Sequence, residues 1–207
     1  MQSAKGQFRH IIVIIKVIET LVTSAADSLV ATADLHTFSD RCEHESDEYT
    51  EKKAASRNNP GIVRIREMSA EDIEDAYNLE KTNLGKEAWT QKQLLDALTR
   101  DDTIYLVAEK AGRVVGLCGV QNISGEGEIT NVSVSGDCRR EGVAYKMLKQ
   151  LLERGHGIGI KDYTLEVRAK NTPAIGLYER LGFVNEGVRP GFYDEPKDDA
   201  VIYWKRK

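Results

Sequence analysis

Residues 129–155, ITNVSVSGDCRREGVAYKMLKQLLERG, pass from strand to helix through one short loop, and that passage constrains the fold more than any other feature of the chain. Residues 126–134, with Ile129, Val132 and Val134 as their apolar members, read as a strand. From about Glu141 to Arg154 the residues Ala144, Met147, Leu148, Leu151 and Leu152 recur at helical spacing. A strand that feeds a helix through so short a loop sets the helix start beside the strand end. The first N–H groups of a helix have no partner within it, and they carry the positive end of its dipole. Together they form an anion site. In the loop Arg139-Arg140-Glu141-Gly142-Val143-Ala144, Gly142 and Ala144 keep side chains small where a pyrophosphate would approach the backbone. Two arginines add positive charge. A solvent-exposed turn with two arginines has the same local sequence, so the loop alone does not choose between these readings.

A second unit, LEVRAKNTPAIGLYERLGF at 165–183, repeats the pattern of strand then helix. Its strand carries Glu166 between Leu165 and Val167, its helix carries Tyr178, and Gly182 stands where a helix C-cap is expected. Elsewhere, 62–66 alternates as a strand, and Ser69-x-x-Asp72 precedes Ile73, Ala76, Tyr77 and Glu80 at helical spacing. Thr90-x-x-Gln93 caps a second helix with Leu94, Leu95 and Leu98 on one face. Residues 103–110 and 113–120 form a hairpin across Ala111-Gly112. Segments 162–168, 183–188 and 199–206 are further strands, and 172–181 is a helix. The order β-α-α-β-β-β-α-β-α-β-β predicts one mixed α/β domain over residues 62–207.

Composition bounds the rest. A chain of 207 residues with 41% hydrophobic and 30% charged residues is long enough for a sizeable core. Its formal net charge of -4 argues against direct nucleic-acid binding. Cys42, Cys118 and Cys138 are widely spaced and odd in number, which suits a reducing cytosol and a cytoplasmic enzyme. The apolar run at 11–18 is interrupted by Lys16, and a membrane span needs about 20 apolar residues, so no membrane partner is expected. Residues 40–59 are dense in charge and offer little to bury. Residues 1–61 therefore read as an N-terminal extension with a charged, partly disordered linker. No other methionine lies between Met1 and Met68, and a translation start near Val63 is the alternative to a genuine extension. Cys42 and His44 alone are too few for a metal site, and no metal is expected.

The two units together, in this order, resemble the GNAT superfamily of N-acetyltransferases. Arg139, Gly142 and Ala144 meet its (Q/R)-x-x-G-x-(G/A) signature, and Val167 to Phe183 meets V-R-x-x-N-x-x-A-x-x-L-Y-x-x-L-G-F, with Asn171 and Ala174 in place. Ile65-Arg66, Trp89, Ile129-Thr130-Asn131-Val132 and Gly191-Phe192-Tyr193 with the closing Trp204-Lys205 are similar to the RimI-type branch, which acetylates the N-terminal alanine of a ribosomal protein. Cys138, Glu141 and Phe192 depart from the residues usual at those places.

The resemblance implies a GNAT-type mixed, mainly antiparallel central sheet flanked by helices. It implies acetyl-CoA as donor, held by Arg139, Arg140, Glu141, Gly142, Val143, Ala144 and Asn171 and by main-chain groups of Val132 and Val134 beside the pantetheine arm. It implies Glu166 as base, directly or through water, and Tyr178 as acid. Trp89 and Tyr193 fall where the family binds its acceptor. The implied acceptor is the N-terminal α-amine of a protein or peptide, of the ribosomal-protein type. A lysine side chain or a small amine is the alternative within the class, and a non-catalytic acyl-CoA-binding module the alternative outside it. Competing chemistries find less. The domain's one histidine, His156, lies among glycines at a helix end, and Gly155-x-Gly157-x-Gly159 follows a helix rather than a strand. Cys138, near a helix start, would be the nucleophile of a ping-pong route.

Overall fold

The computed structural model describes residues 61–207. The apolar run at 11–18, the charged stretch at 40–59 and the Cys42–His44 pair lie outside the described residues.

Seven strands and four helices follow the expected order: β1 (Val63–Glu67), α1 (Ile73–Leu84), α2 (Gln91–Leu98), β2 (Thr103–Lys110), β3 (Arg113–Ile123), β4 (Glu126–Val134), α3 (Val143–Gly157), β5 (Asp162–Arg168), α4 (Thr172–Arg180), β6 (Val184–Tyr193) and β7 (Asp198–Lys205). Single 3₁₀ turns precede α1, α2 and α3. The sheet order is β1-β2-β3-β4-β5-β7-β6. Every neighbouring pair is antiparallel except β4 and β5.

Local chemistry fixes the boundaries. The Ser69 amide donates to Asp72, and at α2 the Thr90 amide donates to Gln93 while the Gln93 amide donates back to the Thr90 hydroxyl at 3.2 Å. The hairpin turn at Ala111 and Gly112 has positive φ at both residues (54° and 75°), which suits the right-handed twist of β2 and β3. Helix α3 starts at Val143 rather than Glu141, because Arg140 and Gly142 hold φ of 67° and 79° and cannot be helical. At the end of α4, Gly182 adopts the left-handed conformation and the Phe183 amide returns to the Tyr178 carbonyl, as a C-cap requires. On α2 the buried stripe is Leu94 and Ala97, with Leu98 partly covered, and Leu95 is exposed. Strand β6 runs on to Tyr193, past the expected end at 188, because Arg189 and Tyr193 still pair with β7.

The sheet is covered on both faces. Met147, Leu148, Leu151 and Leu152 of α3 and Tyr178 of α4 pack with Val120, Ile129, Leu165 and Val167 on one face. Ala76 and Leu79 of α1 and Leu94 of α2 pack with Tyr105, Val107 and Leu117 on the other. Each fully buried leucine contributes about 1.5–3 kcal/mol relative to its exposed state.

The parallel join is short. Strands β4 and β5 pair only at Glu126–Asp162, Gly127–Tyr163 and Glu128–Thr164, and then separate. Tyr163 fills the base of this fork. Its hydroxyl donates to the Leu152 carbonyl at 2.7 Å, and a Cβ on Gly155 would stand 2.3 Å from that hydroxyl. Gly155 thus makes room for Tyr163, which accounts for the first glycine of the run at 155–159.

Candidate active site

The fork leaves one edge of β4 facing a gap. The Ser135 amide donates to the Val115 carbonyl of β3 at 2.8 Å. Alternation along an antiparallel ladder then turns the main-chain groups of Val132 and Val134 to the opposite edge, toward the gap. The Val134 carbonyl accepts from the Asn83 amide at 3.2 Å and from Arg139 Nε at 3.1 Å. Arg139 also donates to the side-chain Oδ1 of Asn83 at 2.6 Å, so its guanidinium ties the loop to α1 and the end of β4. Arg140 is exposed, and Glu141 is drawn aside by Lys110 at 2.9 Å. The first intrahelical bond of α3 runs from the Lys146 amide to the Gly142 carbonyl. The amides of Val143, Ala144 and Tyr145 therefore project from the helix start. The Val143 side chain is buried and Ala144 half-buried. A Cβ on Gly142 would meet nothing within 4 Å, and it is the φ of 79° that calls for glycine. These groups fit the pyrophosphate and pantetheine of acetyl-CoA: small residues, projecting amides and a strand edge in line.

Glu166 and Tyr178 stand on opposite faces of the sheet beside this gap. On β5 the buried side chains are Tyr163, Leu165 and Val167, so Glu166 points away from them, to the α1–α2 face, and not among them. Its ion-pair partner is Arg189 of β6, at 2.9 Å. In register, Ala200 of β7 lies between Arg168 and Arg189, and its small side chain lets Arg189 reach across β7. Burial raises the Glu166 carboxyl and Arg189 lowers it, the first effect being larger. Tyr178 is buried against Phe183 and Tyr203, with ring centroids 6.0 and 6.5 Å away. Its hydroxyl makes no hydrogen bond among the described residues. Burial, and then the neighbouring Tyr193 and Cys118, hold its proton well above the ordinary phenol range. Cys118 lies on β3 opposite Val132, and Tyr193 on β6. Asn171 caps α4, accepting from the Ala174 amide at 3.3 Å.

On the α1–α2 face, two loops are clasped together. Lys86 pairs with Glu195 at 2.7 Å, and Glu87 pairs with Arg168. Arg168 lies 4.0 Å over the Tyr193 ring and donates to the Pro196 carbonyl. Burial, then Glu166 and Glu87, push the Tyr193 phenol up to about 12. The Trp89 ring sits 6.1 Å from that of Tyr105. Beneath it Glu80, fully buried, accepts from the Trp89 amide at 3.0 Å and from the Asn131 amide at 2.7 Å. Asn131 accepts in turn from the Tyr105 hydroxyl at 2.9 Å. Thr130 has no partner on β3 and is the extra residue of a β-bulge, which lets Thr130 and Asn131 both reach that hydroxyl.

Sequence reasoning missed Glu80, Arg168 and Arg189 as members of this site. Glu80 lay in a helical stripe and was legible only as a carboxylate on an apolar face. The others depend on strand register. Cys138 is buried, and burial first of all pushes its thiol up, which disfavours a thiolate nucleophile. His156 is exposed, with Nδ1 3.0 Å from the Ile160 carbonyl, as a helix-end residue.

The sequence profile of the Acetyltransferase (GNAT) family matches residues 66–183. An Escherichia coli K12 protein, ribosomal protein bS18-alanine N-acetyltransferase, is 26% identical over 140 residues, covering 67% of this chain and 93% of its own. The crystal structure of the Escherichia coli ribosomal-protein-S18-alanine N-acetyltransferase superposes with a TM-score of 0.63 at 25% identity, over 70% of this chain and 94% of that one. Ard1 from Thermoplasma volcanium superposes with a TM-score of 0.63 at 30% identity, over 70% and 97%. Among the described residues no helix is long and apolar enough to cross a membrane.

Proposed function

Because the chain belongs to the Acetyltransferase (GNAT) family, it transfers an acetyl group from acetyl-CoA, and we propose that the acceptor is the α-amine at the N-terminus of a protein, of the ribosomal-protein-alanine type. The observation that carries the reading is the fork between β4 and β5, with Glu166 on one face and Tyr178 on the other. Acetyl-CoA, when bound, supplies an activated thioester. The amides of Val143, Ala144 and Tyr145 hold its pyrophosphate, and the main chain of Val132 and Val134 aligns the arm in the gap. Arg139 fixes the loop to the end of β4 rather than meeting the phosphates head-on, and Arg140 adds exposed charge beside them. Glu141, paired with Lys110, leaves the backbone clear. Asn171 sets the start of α4 and, with it, the place of Tyr178.

The acceptor enters from the α1–α2 face, between Trp89 and Tyr193. Glu166 takes a proton from its amine there. From the opposite face Tyr178, whose proton is firmly held at neutral pH, protonates the departing sulfur. An α-amine has a pKa of about 7.7–8.0 and a lysine about 10.4, so a weak carboxylate base suits the former. The experiment is a screen of peptides with free N-termini, N-terminally blocked lysine peptides and small amines, reading thiol release. The fastest turnover is expected on a free N-terminal alanine. Faster turnover of blocked lysine peptides overturns the acceptor, and binding of acetyl-CoA without transfer to any amine overturns catalysis.

A further inference from the structure

Arg189 joins the fork to the strand end that carries Phe192 and Tyr193. In register, Ile202 of β7 lies between Glu166 and Gly187, and Ala200 lies between Arg168 and Arg189. The residue straight across from Arg189 is therefore Arg168, and Glu166 is one diagonal step away. Arg168 is turned to the loops, where it meets Glu87, the Glu195 and Pro196 carbonyls and the Tyr193 ring. Arg189 instead crosses Ala200 to Glu166, at 2.9 Å, and its guanidinium lies 4.9 Å from the centre of the Phe192 ring. The pair is well enclosed, with 23% and 29% of the two side chains exposed. Arginine suits both contacts, since its planar fork fits a carboxylate and its face fits an aromatic ring.

The surroundings of Glu166 call for such a partner. A base works only while it is ionised, and burial disfavours the charged form of Glu166 whereas Arg189 favours it. Glu128 of β4 is opposite Thr164, hence a diagonal neighbour of Glu166 on the same face, and it is half-exposed. Burial and then Glu166 raise its carboxyl. Its charge, when present, repels that of Glu166. From β6 come Arg189 and the Tyr193 phenol, and along β5 itself Arg168, which is paired with Glu87. Strand β7 presents Ile202 and Ala200. On α1, Glu80 is taken up by Asn131 and the Trp89 amide.

We propose that Arg189 is the positioning residue of the base: it holds the Glu166 carboxylate charged and aimed at the fork, and so sets the lowest pH at which the acceptor amine can be deprotonated there. The guanidinium keeps its own protons and acts through Glu166 rather than on the substrate. As the amine's proton passes to Glu166, the ion pair becomes a hydrogen bond from the guanidinium to a neutral acid. The pair is restored when that proton leaves to solvent. The assignment rests on the reading of Glu166 as the base.

The sign of the effect is fixed. Without Arg189, Glu166 binds its proton more tightly and is ionised only at higher pH. The test compares wild type, Arg189→Gln, Arg189→Lys, Glu166→Gln and the double variant Arg189→Gln/Glu166→Gln as full chains. The measurements are kcat/KM from pH 6 to 9.5, on whichever amine the wild type acetylates fastest, and acetyl-CoA affinity by calorimetry. The amine's own titration is common to all variants and divides out of the ratio to wild type. Arg189→Gln removes the charge and keeps most of the packing. Its loss of kcat/KM is expected to be about tenfold or more greater near pH 6 than near pH 9, with acetyl-CoA affinity kept. Arg189→Lys keeps the charge and should recover most of the pH-dependent part. In the Glu166→Gln background, removing Arg189 should add no pH-dependent loss. An equal loss at every pH in Arg189→Gln marks a structural role and overturns the proposal. So does the same pH-dependent loss with and without Glu166. A changed profile in Glu166→Gln beside an unshifted one in Arg189→Gln overturns the role of Arg189 alone, whereas an unchanged profile in Glu166→Gln removes the base and Arg189's role with it.

Discussion

The carboxylate of Glu80, on α1, accepts the main-chain N–H of Trp89 at 3.0 Å, and so a fully buried acid holds the loop that carries Trp89. Its other oxygen accepts from Asn131, next to the bulge of β4. One side chain thereby sets the loop and the strand at a fixed distance. Glu80→Ala leaves two enclosed donors without an acceptor and is expected to destabilise the protein by about 1–3 kcal/mol. Denaturant unfolding would measure this. KM for the acceptor should rise more than the dissociation constant of acetyl-CoA. The pH dependence has a definite sign. Burial raises the Glu80 carboxyl, so the folded chain holds that proton more tightly than the unfolded one. The stability this gives is complete below the ordinary value of 4.5 and is lost as pH rises through the raised value. Glu80→Gln should flatten that fall.

Tyr178→Phe keeps the ring against Phe183 and Tyr203 and removes only the hydroxyl, which bonds to nothing in the described residues. Stability should change little. The fall in kcat is expected to be about 10²–10⁴-fold, with acetyl-CoA affinity nearly kept. Steady-state kinetics beside calorimetry would separate the two. Full kcat in the variant would return Tyr178 to a packing role.

Gly142→Val should weaken acetyl-CoA binding at least tenfold. Valine is strained at a φ of 79° and its branches would cover the projecting amides of α3. Gly142→Ala meets the same strain with less bulk, so it should lose stability but bind better than the valine variant. Equal affinities for wild type and Gly142→Val would mean that the pyrophosphate lies elsewhere.

The clasp over the acceptor side is made of exposed charge. Lys86 and Glu195 are largely solvent-facing, and such a pair contributes at most about 1 kcal/mol. Arg168 is better enclosed and has several partners at once. Arg168→Ala should therefore raise acceptor KM by an order of magnitude, while Lys86→Ala changes it less than threefold. Acceptor titration of both variants at two salt concentrations would decide.

A chain beginning at Gly61 is expected to fold, bind acetyl-CoA and keep most of its activity, because the family match at residues 66–183 lies wholly within it. Circular dichroism and turnover of that chain would check it. Loss of folded protein would move the domain boundary upstream.

The order of elements was legible because each is written in local chemistry: β-rich runs in β2 to β4, the caps at Ser69 and Thr90, the left-handed glycines. So was the short loop before α3, with its left-handed Gly142. Leu95 was misassigned because helical spacing alone cannot say which edge of a stripe meets the sheet. Glu166 stands between two apolar neighbours in the chain, and strand alternation turns it away from them. Its partner Arg189 could not be read from the sequence. It reaches β5 only because β7 returns between β5 and β6 with Ala200 at the crossing. Glu128 was hidden for the same reason, since its bearing on Glu166 exists only once the parallel register of β4 and β5 is known.

The bulge at Thr130 makes β4 a strand that counts residues. Below it the parity of the chain sends Glu128 to the α1–α2 face, and above it the shifted parity sends Asn131 and Ser133 to that same face. Removing Thr130 would make Ile129 and Asn131 consecutive opposite Val120 and Gly119, an even ladder with every other side chain on its present face. What the strand would lose is the hydroxyl that Thr130 brings to Tyr105. Deleting Ile129 or Asn131 instead would draw Thr130 into the vacated place, in the apolar core beneath α3 or against Glu80. The spare residue of β4 is thus the one whose loss leaves every other residue where it stands.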